Sequence, residues 1–158
     1  MLSVLTCLHT VPEVPVIFSP YKDRMQRCRI LIVEDFAPFR RFVCSTLQQE
    51  GKFQVIGEAA DGLEAVQKAA GLKPDLILLD IGLPTLNGIE AARRISAVAP
   101  ASKIIFVSQN HDPDVVKAAL KDGAWGYVFK SRDATELLTA IAAVLRGERF
   151  VSRSLRST

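Results

Sequence analysis

The stretch "ILIVEDF", residues 30–36, decides the fold class of this chain. Its four apolar residues, 30–33, are typical of a strand that is buried on both faces of a parallel sheet. The strand then ends abruptly in two adjacent acids, Glu34 and Asp35. Adjacent carboxylates repel each other and are costly to desolvate, so either a bound divalent cation or plain solvation at the strand end must compensate for their charge.

Strands and helices alternate along the chain from this point. The predicted strands cover residues 29–33, 53–59, 75–80, 103–108 and 126–130. The predicted helices are one that begins near Pro38 and four more over residues 61–72, 87–100, 112–123 and 133–147. This order predicts a doubly wound α/β domain, in which helices cover both faces of a five-stranded parallel sheet and the crossovers are right-handed.

Residue types that commonly cap helices stand at the starts of the predicted helices. Asp61, Asn87 and Asp112 each precede a helical pattern, and each is expected to cap its helix with a side-chain oxygen. Asp133 and Glu136 have the spacing of a capping box, so both are expected to cap the last helix.

The length of 158 residues suits one domain. Residues 1–28 contain three prolines and no sustained period, and we interpret them as an irregular extension; Met25 is a second candidate start. The folded body is expected over residues 29–147, and residues 148–158 are expected to be a tail or the start of a linker. No apolar run approaches the ~20 residues that span a bilayer, so no membrane association is expected.

The three cysteines and the charge distribution bear on the cellular compartment and on the kind of partner. An odd number of cysteines without CxxC spacing favours reduced thiols in the cytoplasm over disulfides or a zinc site. The formal net charge is +3, but most of the excess lies in residues 146–158, which carry four arginines and one glutamate. The body is therefore close to neutral, which is not typical of a nucleic-acid-binding face.

Polar residues stand at the carboxyl ends of the predicted strands, where ligands bind in sheets of this class. Glu34 and Asp35 follow the first strand, Asp80 the third, Ser108 the fourth and Lys130 the fifth. Each has an ordinary structural explanation by itself, such as a turn cap or a solvated charge. Their common position at one edge of the sheet favours a shared site.

The residue types at this edge indicate phosphoryl transfer to a carboxylate. Asp80 would be the nucleophile and would form an acyl phosphate. Glu34 and Asp35 would bind Mg²⁺, which prefers oxygen ligands and reduces the repulsion between the nucleophile and the phosphoryl group. Lys130 and Ser108 would stabilise the phosphoryl oxygens by charge and by a hydrogen bond. A cation bound near Asp80 would therefore explain the two acids at the end of the first strand.

Four segments carry a family resemblance: "ILIVEDF", "DLILLDIGLPTLNGIEAARRI", "IIFVSQN" and "GAWGYVFKS". Together they resemble the receiver domain of two-component response regulators, particularly the NarL/FixJ type, over about residues 28–147. The resemblance implies a flavodoxin-like fold with strand order 2-1-3-4-5. It also implies Mg²⁺-dependent phosphotransfer from a sensor histidine kinase to Asp80, with the backbone carbonyl of Gly82 as a further metal ligand and Ser108 and Tyr127 as a switch pair.

The resemblance also implies partners. Receivers of this type usually precede a DNA-binding output domain, which would be missing from this chain, and a homodimer through the face of the fourth helix, fifth strand and fifth helix is expected. Residues 148–158 are too few for a recognition helix with its supporting core, so no specific DNA binding is expected from this chain alone.

Two positions depart from the family pattern, and one residue has two open interpretations. Gln109 stands where a small residue is usual, and we expect it to change the lifetime of the phosphoryl group. Ser131 stands where a cis proline is frequent, so a cis bond is not expected there. Tyr127 is either a switch residue or a strand aromatic that packs in the core.

Three other functions remain as alternatives. A degenerate receiver would act only as a protein-interaction scaffold. A haloacid-dehalogenase-like phosphatase would need a second acid two residues after the nucleophile, where this chain has Gly82, which cannot transfer a proton; the chain is therefore not expected to be an enzyme. A nucleotide-binding module would show a glycine-rich loop after the first strand, and "EDFAPFRR" contains no glycine.

Overall fold

The computed structural model describes residues 26–156, in which a parallel sheet is covered by helices on both faces. The strands are β1 (Cys28–Val33), β2 (Phe53–Ala59), β3 (Leu76–Leu79), β4 (Lys103–Ser108), β5 (Gly126–Phe129) and β6 (Phe150–Val151). The helices are α1 (Ala37–Gln49), α2 (Gly62–Leu72), α3 (Gly88–Val98), α4 (Pro113–Lys121) and α5 (Thr135–Leu145), followed by a short 3₁₀ helix, Arg153–Leu155. Most of the expected N-terminal extension, residues 1–25, lies outside the described residues.

The strand order is β2-β1-β3-β4-β5-β6, and every neighbouring pair is parallel. The predicted order 2-1-3-4-5 is confirmed, and within residues 26–156 the sheet has six strands where five were predicted. The sixth strand, β6, lies at the edge of β5 within residues 148–158, which the sequence suggested were a tail or a linker. Two residues are too short to show a strand period, so this strand was not predicted.

The core consists of two apolar layers, one on each face of the sheet. Helices α1 and α5 pack on one face and helices α2, α3 and α4 pack on the other. The alternation of β1 shows this arrangement, since Ile30 and Ile32 face the first layer while Leu31 and Val33 face the second. All four are almost completely buried, which explains the continuous apolar run at residues 30–33. Within residues 26–156, no helix is long and apolar enough to cross a membrane.

Three of the predicted helix caps are confirmed. The side chains of Asp61, Asn87 and Asp112 accept hydrogen bonds from backbone amides in the first turns of α2, α3 and α4, at 2.8, 3.0 and 2.9 Å. Such bonds satisfy amides that have no partner within the helix.

The predicted capping box of α5 is wrong. The helix begins at Thr135, one position later than a cap at Asp133 requires, and Asp133 accepts a hydrogen bond from the amide of Thr135 at 2.9 Å. Glu136 accepts from the backbone amide of Arg153, at 3.1 Å. The carboxylate of Glu136 is therefore engaged by the C-terminal segment, a tertiary contact that local spacing does not reveal.

Candidate functional site

The acids that follow β1 and β3 lie next to each other in the structure. The two strands are neighbours, and the amide of Asp80 donates to the carbonyl of Val33 at 3.0 Å. Glu34 and Asp80 are buried, with 3% and 6% of their surfaces exposed, whereas Asp35 is exposed. One carboxylate oxygen from each of the three acids lies within 4.8 Å of the others. The fold thus assembles the three acids that the sequence placed at this edge.

Lys130 lies between two of these acids. Its Nζ atom is 2.6 Å from Oε2 of Glu34 and 3.0 Å from Oδ2 of Asp80. Its side chain is only 11% exposed, and the ammonium group lies 5.1 Å from the centre of the Phe39 ring, within cation–π distance. The single ammonium group of Lys130 therefore pairs with two buried carboxylates, and the carboxylate of Asp35 lies beside them.

The electrostatic environment of this cluster shifts two pKa values upward. Burial raises the pKa of Glu34, and the charge of Asp80 adds to the effect, although hydrogen bonds from Lys130 and the Phe36 amide oppose it. Burial alone would lower the pKa of Lys130, but its hydrogen bonds to Glu34 and Asp80 prevail and raise that pKa. The lysine is thus held as an ammonium, while ionised Glu34 is under-compensated.

The donor set fits a hard divalent cation. Carboxylate oxygens are the ligands that Mg²⁺ prefers, and an under-compensated acid cluster attracts positive charge. Gly82 lies against the cluster, since its amide donates to Oδ1 of Asp80 at 3.4 Å. The role of the Gly82 carbonyl as a metal ligand remains a prediction.

The cluster opens into a cavity of about 730 Å³. Its lining includes seven of the predicted site residues, Glu34, Asp35, Asp80, Gly82, Ser108, Gln109 and Lys130, together with Phe36, Phe39, Ile81, Asn110, Ser131 and Arg132. The structure therefore brings these seven predicted residues together around one space.

Tyr127 is the predicted residue that does not line the cavity. It is fully buried, and its ring packs against Phe106 with 6.3 Å between ring centres. Its hydroxyl group donates to the carbonyl oxygen of Asn110 at 3.0 Å, and the Asn110 amide donates to the hydroxyl oxygen of Ser108 at 3.1 Å. Burial raises the pKa of Tyr127, and the charge of Asp80 contributes, while a hydrogen bond with Ser108 opposes the shift. Tyr127 is thus a core residue whose polar end reaches the loop beside Ser108.

Two residues that support the site were not predicted. A side-chain carbon on Gly88 would lie 2.0 Å from the carbonyl oxygen of Asp80, so only glycine permits α3 to begin this close to Asp80. Arg40 donates to the carbonyl oxygen of Glu34 at 2.7 Å and pairs with Glu58 at 3.1 Å. The "NG" dipeptide at the start of α3 is the sequence signal that could have indicated Gly88, whereas no sequence pattern pointed to Arg40.

Comparisons with known proteins agree with this geometry. The family described as the response regulator receiver domain matches residues 30–142. The transcriptional regulatory protein DegU of Brevibacillus brevis is 35% identical over 125 residues, which cover 79% of this chain and 53% of DegU. The nitrate/nitrite response regulator NarL of Escherichia coli K12 is 35% identical over 127 residues, which cover 80% of this chain and 58% of NarL.

Solved structures give the same result. A two-component response regulator of the LuxR family from Aurantimonas sp. superposes with a TM-score of 0.78 at 33% identity, over 82% of this chain and 93% of that one. The receiver domain of a putative NarL from Mycobacterium tuberculosis gives a TM-score of 0.71 at 28% identity, over 77% of this chain and 98% of that one. The chain spans little more than half the length of the curated relatives above. It belongs to the response regulator receiver domain family, and its relatives are LuxR-family regulators of the NarL and DegU type.

Proposed function

We propose that this chain is a phosphoacceptor receiver, in which Asp80 accepts a phosphoryl group from a sensor histidine kinase in the presence of Mg²⁺. The observation that carries the proposal is the position of Asp80. It lies at the end of β3, opens into the cavity, has the Lys130 ammonium at 3.0 Å and has two further carboxylates within 4.8 Å.

In the proposed reaction, a carboxylate oxygen of Asp80 attacks the phosphorus atom of a phosphohistidine. A phosphorus–oxygen bond forms as the phosphorus–nitrogen bond breaks, and the electron pair of that bond returns to the imidazole nitrogen. Lys130 neutralises a phosphoryl oxygen from its position between Glu34 and Asp80. Ser108 donates a hydrogen bond from its hydroxyl group to another phosphoryl oxygen, while the oxygen of that hydroxyl accepts from the Asn110 amide.

Mg²⁺, when bound, would supply positive charge that reduces the repulsion between the anionic nucleophile and the anionic phosphoryl group. Glu34, Asp35, Asp80 and the carbonyl of Gly82 would hold it. The under-compensated charge of the three acids supports this assignment, because Lys130 alone cannot balance them.

The proposed output is a change in association through the face formed by α4, β5 and α5. Tyr127 supports this choice, because its ring packs in the same apolar layer as Val116 and Ala119 of α4 while its hydroxyl contacts the loop next to Ser108. The relatives are named transcriptional regulators and are longer than this chain. We therefore propose that the receiver controls a DNA-binding domain that lies outside these 158 residues.

The alternative of a scaffold that is never phosphorylated makes a different prediction at Asp80. The test is incubation with acetyl phosphate and Mg²⁺, followed by mass spectrometry that locates the modified residue. We expect one added phosphate on Asp80 and none in the Asp80→Asn variant. Asp114→Asn, which removes an exposed acid outside the cavity, is the matched control and should be phosphorylated normally.

A phosphate on another residue would contradict the assignment of Asp80. Absence of phosphate together with no response to Mg²⁺ and beryllofluoride, a phosphoryl mimic, would favour the scaffold. Continuous release of phosphate over many turnovers would instead favour a phosphatase.

A further inference from the structure

Ser152 occupies an unexpected place for a residue of a supposed tail. It has no exposed surface, and it follows directly after β6. Its amide donates to the carbonyl oxygen of Tyr127 at 2.9 Å, and its hydroxyl oxygen accepts from the amide of Phe129 at 2.8 Å. The amide and the hydroxyl of Ser152 are thus both bonded to β5.

The bond from the Phe129 amide to the Ser152 hydroxyl takes the place of a backbone bond that a longer β6 would make. The pairing between β5 and β6 ends at Tyr127 and Val151, so Phe129 extends past the registered pairs at the outer edge of the sheet. A buried amide without a partner is costly, and an edge strand has no neighbour to supply one. The hydroxyl oxygen of Ser152 accepts the bond that a longer β6 would have accepted.

Phe129 directly precedes Lys130, so the bond between Phe129 and Ser152 lies next to the cavity that Lys130 lines. On the other side of the strand, the amide of Lys130 donates to the carbonyl oxygen of Ser108 at 2.9 Å. The backbone that carries the lysine is therefore held from two directions, by Ser108 of β4 and by Ser152. The lysine side chain then reaches Glu34 and Asp80.

The segment around Ser152 is itself anchored to the domain. The amide of Arg153 donates to Glu136 in the first turn of α5 at 3.1 Å. Arg156 donates to the carbonyl oxygen of Val151 at 2.7 Å, and Leu155 packs against the apolar layer that contains Tyr127. These contacts connect the end of the described chain to β5.

We propose that Ser152 is a positioning residue for Lys130 and that it couples the C-terminal segment, residues 148–156, to the phosphoryl cavity. The inference rests on the proposed function, since it assigns Ser152 a role in the proposed reaction at Asp80. Coupling between two sites is reciprocal in binding free energy. Occupation of the cavity therefore changes the hold on the C-terminal segment, and displacement of that segment changes the placement of the lysine.

The first test compares two serines of the same segment. Ser152→Ala removes the hydroxyl that accepts from Phe129, whereas Ser154→Ala removes an exposed hydroxyl that makes no hydrogen bond within residues 26–156. We expect Ser152→Ala to slow phosphorylation of Asp80 by acetyl phosphate about fivefold, the factor that corresponds to one neutral hydrogen bond. Ser154→Ala should react at the wild-type rate, and Ser152→Thr, which keeps the hydroxyl, should restore most of the loss.

A second measurement separates positioning from mere stabilisation. The Nζ resonance of Lys130, observed by nitrogen NMR in the full chain, reports the surroundings of the ammonium group directly. We expect this resonance to shift in Ser152→Ala and to stay unchanged in Ser154→Ala. A lower melting temperature with an unchanged Lys130 resonance and an unchanged rate would show a purely structural role and would overturn the proposal.

The wild-type chain provides a test that does not depend on the folding of any variant. Addition of Mg²⁺ and beryllofluoride should shift the amide resonances of both Phe129 and Ser152. Occupation of the cavity without any change at these two amides would overturn the coupling. If the wild-type chain is never modified at Asp80, the proposed function fails instead, and the Lys130 resonance still decides whether Ser152 positions the lysine.

Discussion

The ammonium nitrogen of Lys130 lies 2.6 Å from a carboxylate oxygen of Glu34, and both side chains are almost completely buried. A buried ion pair contributes little net stability unless its geometry compensates for the loss of solvation. Here the same ammonium also serves Asp80 at 3.0 Å, so one positive charge is shared by two acids. The raised pKa of Glu34, caused mainly by burial, is consistent with this shortage of positive charge. Two buried carboxylates therefore depend on a single ammonium group for their compensation.

The exposed acid of the cluster offers a test of metal binding that leaves the fold intact. Asp35 makes no side-chain ion pair or hydrogen bond within residues 26–156, and its charge lies within 4.8 Å of two other carboxylates, so Asp35→Asn should keep the fold and should not lower the melting temperature. We expect the variant to bind Mg²⁺ at least about tenfold more weakly, because even indirect supports of a metal site contribute that much. Isothermal titration with MgCl₂ measures the effect, with Asp114→Asn as the control for loss of a negative charge. An unchanged titration would remove Asp35 from the metal site.

Gln109 is expected to prolong the life of the phosphorylated state. Its side chain is exposed and lines the cavity beside Ser108, where a long amide would crowd the approach of a hydrolytic water. Gln109→Ala should therefore lose phosphate faster than the wild-type chain. The measurement is the half-life of phosphorylated Asp80 after removal of the donor. Equal half-lives would exclude a role for this side chain, and a longer half-life in the variant would mean that the amide holds the water.

The hydroxyl of Tyr127 should contribute measurably to stability. Tyr127→Phe keeps the buried ring but leaves the carbonyl oxygen of Asn110 without the donor that now lies at 3.0 Å. We expect the free energy of unfolding to fall by about 1 kcal/mol, the usual value of one neutral hydrogen bond. Urea denaturation of both proteins gives the difference. No loss of stability would show that the hydroxyl bond is not maintained in solution.

The pH dependence of two thiols follows from their burial. Burial raises the pKa of Cys28 and of Cys44 from the ordinary value of 9.0 to about 11, with nearby Asp75 and Glu58 contributing. A raised thiol pKa means that the unfolded chain loses its proton first, so the free energy of unfolding should fall as pH rises from about 9 to about 11. At pH 8, about one thousandth of each thiol would be the reactive thiolate.

Alkylation by iodoacetamide checks this expectation for each cysteine separately. Peptide mass spectrometry should show that Cys28 and Cys44 react much more slowly in the folded chain than in the chain unfolded by urea. Their rates in the folded chain should rise steadily with pH up to about 11. Rapid alkylation of the folded chain at pH 8 would contradict the raised pKa values.

The chain alone is expected to bind DNA without sequence preference. The four arginines of residues 146–158 can contact phosphates, which gives weak and salt-sensitive attraction. A gel-shift competition at physiological salt, with protein phosphorylated on Asp80, should show equal competition by any duplex. If one specific duplex competed by a wide margin, the chain would carry an output function beyond that of a receiver.

The sequence determined the layered fold and the grouping of polar residues at one edge of its sheet. Apolar runs such as residues 30–33 and the alternation of helical and strand periods depend only on local pattern, and parallel strands necessarily end at a common edge. The sequence alone therefore places Glu34, Asp80 and Lys130 in one site. The caps Asp61, Asn87 and Asp112 were predictable for the same reason, since a cap acts within its own first turn.

Only the tertiary structure decided the features that depend on residues far apart in sequence. Strand β6 has only two residues, which are too few to show an alternating apolar pattern. Its position at the edge of β5 depends on pairing with Gly126 and Tyr127. The engagement of Glu136 by Arg153 displaced the expected capping box in the same way. The burial of Ser152 against Phe129 likewise joins positions 23 residues apart. Such contacts arise when elements pack against one another, and local sequence carries no record of the partner that will supply a hydrogen bond across the fold.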